Sequence, residues 1–217
     1  IPQDVLLEPA DGPPVTSVHT AVTARAPGDD VVAAAAARLD AAERPVILAG
    51  GGVRRSPGGS EALVALAEAL AIRFDHPLSA ASWIEDRYTT ELLAGADVLL
   101  AVGTALGEVT SNYHTLEPAG TVIHIDAEAR VLGANHPALS VHADAAQALS
   151  ALAQRVTRRD SDEGARIAAD LRTAVEKRLA AQNLDIERTL MSDLRRAVPA
   201  AAQTFWDMTI AGYWAWS

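Results

Sequence analysis

Apolar positions in this chain follow two spacings. Short continuous runs at Val46–Ala49, Asp97–Val102, Thr121–Ile125 and Leu139–His142 predict buried strands. Helical spacing predicts helices over Asp29–Glu43, Ser60–Ala71, Thr89–Ala94, Asp144–Val156, Glu163–Ala180, Ile186–Val198 and Thr209–Trp216. Leu63, Leu66 and Leu70 form the clearest apolar stripe. Asp29, Asp30 and Asp144 stand where capping and the helix dipole favour an acid. Gln203–Asp207 could begin a further strand.

Strands alternating with helices imply βαβ units, so the expected fold is α/β: a Rossmann-like parallel sheet with helices on both faces. One place departs from the pattern. The stretch AIRFDHPLSAASW lies between two helices and carries no β-branched run. A right-handed crossover needs a strand there. Either the topology departs at this point, or residues are missing from the sequence.

Composition narrows the function classes. The 217 residues have no Cys, which excludes a thiolate metal site and a Cys nucleophile. A net charge of −10 argues against nucleic acid and anionic membranes as partners. The apolar runs, such as Val31–Ala37, fall far short of the roughly 20 residues of a membrane span. The start IPQDVLLEPADGPP lacks the basic and apolar regions of a signal peptide, so a cytoplasmic protein is expected. Three of the four Trp fall in the last twelve residues.

Candidate chemistry gathers after the strands. In PVILAGGGVRRS a strand runs into Gly50-Gly51-Gly52, where a ligand could approach the backbone closely. The G-x-G-x-x-G fingerprint is not met, since Arg55 takes the third position, and no P-loop lysine follows. A tight strand-to-helix turn is the plain alternative. VGTALGEVTSNYH, Asp126 and VHADA follow the next three strands. Ligands of open α/β sheets bind at such carboxyl ends. Simple capping remains the plainer reading of Asp126 and Asp144. His124-x-Asp126 and His142-x-Asp144 match no metal signature, and His124 in an apolar strand suits a hydrogen-bonded core residue. No G-x-S-x-G elbow or paired carboxylates stand out, so no catalytic residue is assigned.

Taken in order, IPQDVL, RPVILAGGGVRRS, LLAGADVLLAVGTALGEVTS, VIHIDAEA and HPALSVHADA resemble the central domain of thiamine-diphosphate-dependent enzymes. Acetolactate synthase, benzoylformate decarboxylase and oxalyl-CoA decarboxylase belong to that group. Its members usually carry a strand and a Gly-containing loop before a segment like HPLS, so the resemblance implies that roughly ten to twenty residues are missing between Ile72 and Phe74. The resemblance implies a connector over 1–28, a central domain over 29–157, a linker helix over 158–183 and the start of a diphosphate-binding domain over 184–217. It implies a parent that decarboxylates or ligates 2-keto acids with thiamine diphosphate and Mg2+, as a homodimer or homotetramer. The activating Glu and the GDG…N motif of that family are absent from these residues, so the chain itself is expected to be catalytically silent.

Central domains of the family hold FAD, an adenosine nucleotide such as ADP, or nothing. The resemblance places such a pocket at Gly51, Gly52, Gly103, Thr104, Asp126 and Asp144. Three departures count against flavin binding and against acetolactate synthase itself. Ala105 stands where flavin enzymes often carry Arg, Ala143 where some carry Gly, and Ile210-Ala211 where acetolactate synthases carry Gln-His. The alternative reading is a stand-alone nucleotide-binding or assembly module without catalysis. A sirtuin-type deacylase shares the architecture, but the missing cysteines oppose it.

Overall fold

The computed structural model describes residues 12, 24–72, 88–108, 110–111, 113–207 and 209–216. Among the described residues four strands form one parallel sheet in the order β1 (Pro45–Ala49), β2 (Val98–Val102), β3 (Thr121–Asp126) and β4 (Ala138–His142). The register sets Ile47 beside Leu100 and Leu100 beside Ile123. Every residue of β2 is buried, as expected for a parallel strand covered on both faces.

Alternation along the strands separates two cores. On one face Val98, Leu100, Val102, Ile123, Ile125 and Val141 meet α1 (Asp29–Ala41), α3 (Gly59–Ala69) and α5 (Ala145–Arg155). On the other, Leu48, Leu99 and Ala101 meet Leu93 of α4 (Tyr88–Ala94), with Leu106 and Leu116 from the β2–β3 connection. The α/β class with helices on both faces is therefore the observed architecture. The chain adds a five-residue helix, α2 (Gly51–Arg55), a 3-10 turn at Ala129–Val131, and three further helices, α6 (Glu163–Ala180), α7 (Asp185–Ala197) and α8 (Ile210–Trp216).

Two local expectations change. Helix α3 stops at Ala69, because Ala71 takes a left-handed conformation (φ 56°) and the Ile72 amide closes onto the Ala67 carbonyl. No strand forms at Gln203–Asp207, where 202–207 run without regular structure and Phe205 is exposed. A strand needs a neighbour to pair with, and that segment has none among the described residues.

The expected gap at Ile72 and the strand-like VLL at 5–7 lie outside the described residues. Within them, β1 is paired on one side only and is half-buried where β2 is fully covered. Helices α3 and α4 contribute to opposite cores, so the chain changes face between Leu70 and Leu93.

Asp97 ties the amino ends of the strands together. Its carboxylate accepts the amide N–H groups of Glu43 (2.6 Å) and Arg44 (3.0 Å), and its carbonyl accepts Thr121 N–H (2.9 Å). Burial pushes this carboxyl up, but N–H donors from Arg44, Glu43 and Val98 and the Arg44 charge outweigh it and hold it below 3.8. Its stabilising contribution is thus complete above 3.8 and is lost as pH falls through the lower folded value. Asp97→Ala is expected to cost about 1–3 kcal/mol at pH 7. Urea midpoints of the two proteins should converge in strong acid; a difference independent of pH would refute the role of the ionised carboxylate.

Candidate functional site

The carboxyl ends of the four strands carry the candidate loops. Three amides just past the strand ends extend the sheet by one rung. Gly50 N–H donates to Val102 O (2.8 Å), Gly103 N–H to Ile125 O (2.8 Å) and Ala143 N–H to Asp126 O (3.1 Å). The loops after β1, β2, β3 and β4 therefore start side by side, and the fold brings Gly51, Gly52, Gly103, Thr104, Asp126 and Asp144 to one end of the sheet.

Their individual roles differ. Gly52 and Gly103 face each other: Gly52 N–H donates to Gly103 O (2.9 Å), and a Cβ on Gly52 would lie 2.6 Å from Gly103 Cα. Gly50 is equally confined, with Gly103 O only 2.3 Å from where its Cβ would stand. These glycines let two backbones touch. Gly51 is different: it is exposed and nothing lies within 4 Å of its Cβ position. Thr104 is half-buried, and its Oγ1 accepts Leu106 N–H (3.2 Å).

The two acids divide in the same way. Asp144 caps α5: Oδ1 accepts Gln147 N–H (3.2 Å) and Oδ2 accepts the Ser56 hydroxyl (2.8 Å). Ser56 Oγ in turn accepts Ala146 N–H (3.0 Å), so the end of α2 and the start of α5 are held by one pair. Asp126 stands at the end of β3, where Oδ1 accepts Glu128 N–H (2.8 Å) in a local turn. Among the described residues no hydrogen bond is found at its Oδ2.

His124 lies on the second face of β3, 2% exposed. Nδ1 accepts Gly133 N–H (3.4 Å), which leaves the proton on Nε2 to donate to Thr104 O (2.8 Å). Asn135 Nδ2 donates to the carbonyls of Ala105 (3.2 Å) and Leu106 (3.0 Å). These bonds clasp the β3–β4 segment onto the loop after β2. Leu106 holds a left-handed backbone (φ 48°) and is buried in the second core. Sequence reasoning does not single out Ser56, Asn135 or His136 as site-forming residues. For the last two, the signal available is the turn-rich string GANHP.

A family model for the thiamine pyrophosphate enzyme central domain matches residues 32–152, more than half of the chain. The chain belongs to this family. Among curated proteins it is 32% identical over 232 aligned positions to the "Probable 2-ketoarginine decarboxylase AruI" of Pseudomonas aeruginosa, covering 98% of this chain and 40% of that protein. It is 36% identical over 116 positions to the "Probable acetolactate synthase large subunit" of Methanocaldococcus jannaschii, covering 46% of this chain and 20% of that protein. Benzoylformate decarboxylase from Polynucleobacter necessarius matches at 17% identity with a TM-score of 0.48, covering 70% of this chain and 32% of that one. The chain thus spans well under half the length of these proteins. The alignment to AruI has 232 positions where this chain has 217 residues, so it contains positions that no residue of this chain fills. Among the described residues no helix is long and apolar enough to cross a membrane.

Proposed function

We propose that this chain is the central part of a thiamine-diphosphate-dependent enzyme that decarboxylates or ligates a 2-keto acid. The observation that carries the reading is the alignment to AruI, which runs through 98% of the chain rather than through a nucleotide-binding core alone. Residues 29–157 form the central unit, 158–183 the linker, and 184–217 the start of the next domain. Thiamine diphosphate supplies the carbanion chemistry when bound with Mg2+. No step of that chemistry falls to the residues of this chain. Their part is to space and orient the flanking domains in a homodimer or homotetramer.

An adenine nucleotide such as ADP, or FAD, would meet Gly51, Thr104 and Asp126 at the carboxyl end of the sheet. Gly51 leaves its Cβ side open, and Asp126 has one carboxylate oxygen to offer a ribose hydroxyl. Gly52 and Gly103 would shape that site through their packing, and Asp144 through its cap.

The test is CO2 release by the full-length protein with thiamine diphosphate, Mg2+ and a panel of 2-keto acids that includes pyruvate and 2-ketoarginine. Turnover of at least one is expected, with none by the 217-residue chain. Absence of both decarboxylation and ligation across the panel, or turnover by the chain alone, would overturn the reading. Equilibrium dialysis with FAD, ADP and NAD reads the nucleotide site separately.

A further inference from the structure

Three histidines from different segments lie within electrostatic reach beside the loop after β2, His114 and His124 both acting on His136. His124 is on β3, His114 is in the β2–β3 connection, and His136 is in the β3–β4 segment. His136 Nε2 is buried and has no hydrogen-bond partner among the described residues. Burial first, then the charges that His114 and His124 would carry, hold this imidazole below its ordinary 6.5. Among the described residues those two are the charged groups acting on it, and both are bases. Among the described residues no carboxylate acts to stabilise a proton there.

The neighbours of His136 connect it to the loop. Gly133 and Asn135 lie on the same short segment, and they make the bonds to His124, Ala105 and Leu106. Across the gap, the β2–β3 connection is held in unfavourable backbone conformations. Leu106, Tyr113 and His114 all have left-handed φ values, 48°, 57° and 61°. Side chains other than glycine adopt that region only when the surroundings enforce it. Ser111 Oγ–H donates to Gly107 O (2.8 Å), so the Ser111 oxygen is left to accept from His114 Nδ1 at 3.4 Å. Both ring nitrogens of His124 are engaged, Nδ1 accepting Gly133 N–H and Nε2 donating to Thr104 O.

We propose that His136 is the proton-sensitive part of a latch, closed by the hydrogen bonds of His124 and Asn135, that holds the β2–β3 and β3–β4 loops together over the end of the sheet. A neutral His136 keeps the latch closed. A proton on His136 places an unpaired charge among two other bases, and the segment carrying Gly133 and Asn135 moves outward. The Asn135 bonds are then lost, and Leu106 is released from its left-handed conformation. The sign follows from the depressed value: the closed form is fully favoured above 6.5 and loses ground as pH falls below it. The device depends on these side chains alone and stands whether or not a nucleotide binds.

Hydrogen exchange read by mass spectrometry between about pH 5 and 8, corrected for intrinsic rates, tests this on the unaltered protein. Segments 104–116 and 132–137 should open by up to about tenfold per pH unit below 6.5, while β2 stays protected. His136→Gln should flatten that response. A pH-independent corrected rate in these segments would overturn the proposal, as would an undiminished response in H136Q or loss of β2 protection in step with the loops. Should H136Q fail to fold, NMR titration of the unaltered protein decides. The His136 ring and the Gly133 amide must then titrate together; separate midpoints would overturn the latch.

Discussion

Gly103→Ala is expected to destabilise the protein by about 4 kcal/mol or more. Two penalties coincide at this residue. Its φ of +61° lies in the left-handed region, where a Cβ costs about 1–2 kcal/mol. The added Cβ would also stand 2.6 Å from Val53 N and 2.8 Å from Gly52 Cα, which are backbone atoms unable to rotate away. Relief requires the end of β2 to part from α2, and the Gly52 N–H to Gly103 O bond would open with it. Gly51→Ala is the matched control. It meets nothing within 4 Å and replaces glycine by a better helix former at the start of α2, so it should be neutral or stabilising by up to about 1 kcal/mol. Chemical denaturation of both variants separates the two glycines. Equal stabilities would refute the packing role assigned to Gly103. If a nucleotide binds at this end of the sheet, Gly51→Ala should weaken binding without weakening the fold.

Leu66→Ala should cost about 3–5 kcal/mol and lower the thermal midpoint by about 10 °C for a domain of this size. Leu66 is 0% exposed on α3, in the core that joins α1, α3 and α5 to the sheet. Truncation there loses the transfer energy of the removed methyl groups and leaves a cavity. The surrounding packing, with Leu39, Leu63 and Leu149 also buried, cannot readily collapse into it. Ile186→Ala on α7 gives the contrast, since that side chain is 82% exposed and its loss should change stability by less than about 0.5 kcal/mol. A Leu66→Ala cost below about 1 kcal/mol in calorimetry would mean that α3 does not pack against this core.

Much of this arrangement is legible in the sequence. The runs ending at Ala49, Val102, Ile125 and His142 are apolar and short, so their identity as parallel strands follows from continuous hydrophobicity and from the helices between them. Helices α1 and α5 are marked by acids at their starts and apolar interiors. Boundaries are less legible. Nothing local distinguishes Ala71 from the alanines inside α3, and its left-handed backbone depends on the closure by Ile72. Gln203–Asp207 reads as a strand from its residue types, but β-propensity reflects packing against neighbours, and none among the described residues supplies it.

The loop residues show the same division more sharply. Sequence places Gly51, Gly52, Gly103, Thr104, Asp126 and Asp144 at the ends of strands, because the strands and the loops that follow them are written in the hydrophobic pattern. It does not separate Gly51, which is open, from Gly52 and Gly103, which are closed on each other. That difference is set by how near β1 and β2 bring two loops that are distant along the chain. Nor does it pair Ser56 with Asp144 across 88 residues, or bring His114, His124 and His136 together. The sequence by itself determined the types of the sheet strands and of the main helices, the parallel sheet and the family, because each rests on local periodicity and short motifs. Only the tertiary structure decided which polar groups are already satisfied and which remain unpaired, because hydrogen bonds act over about 3 Å in space and carry no regular spacing along the chain.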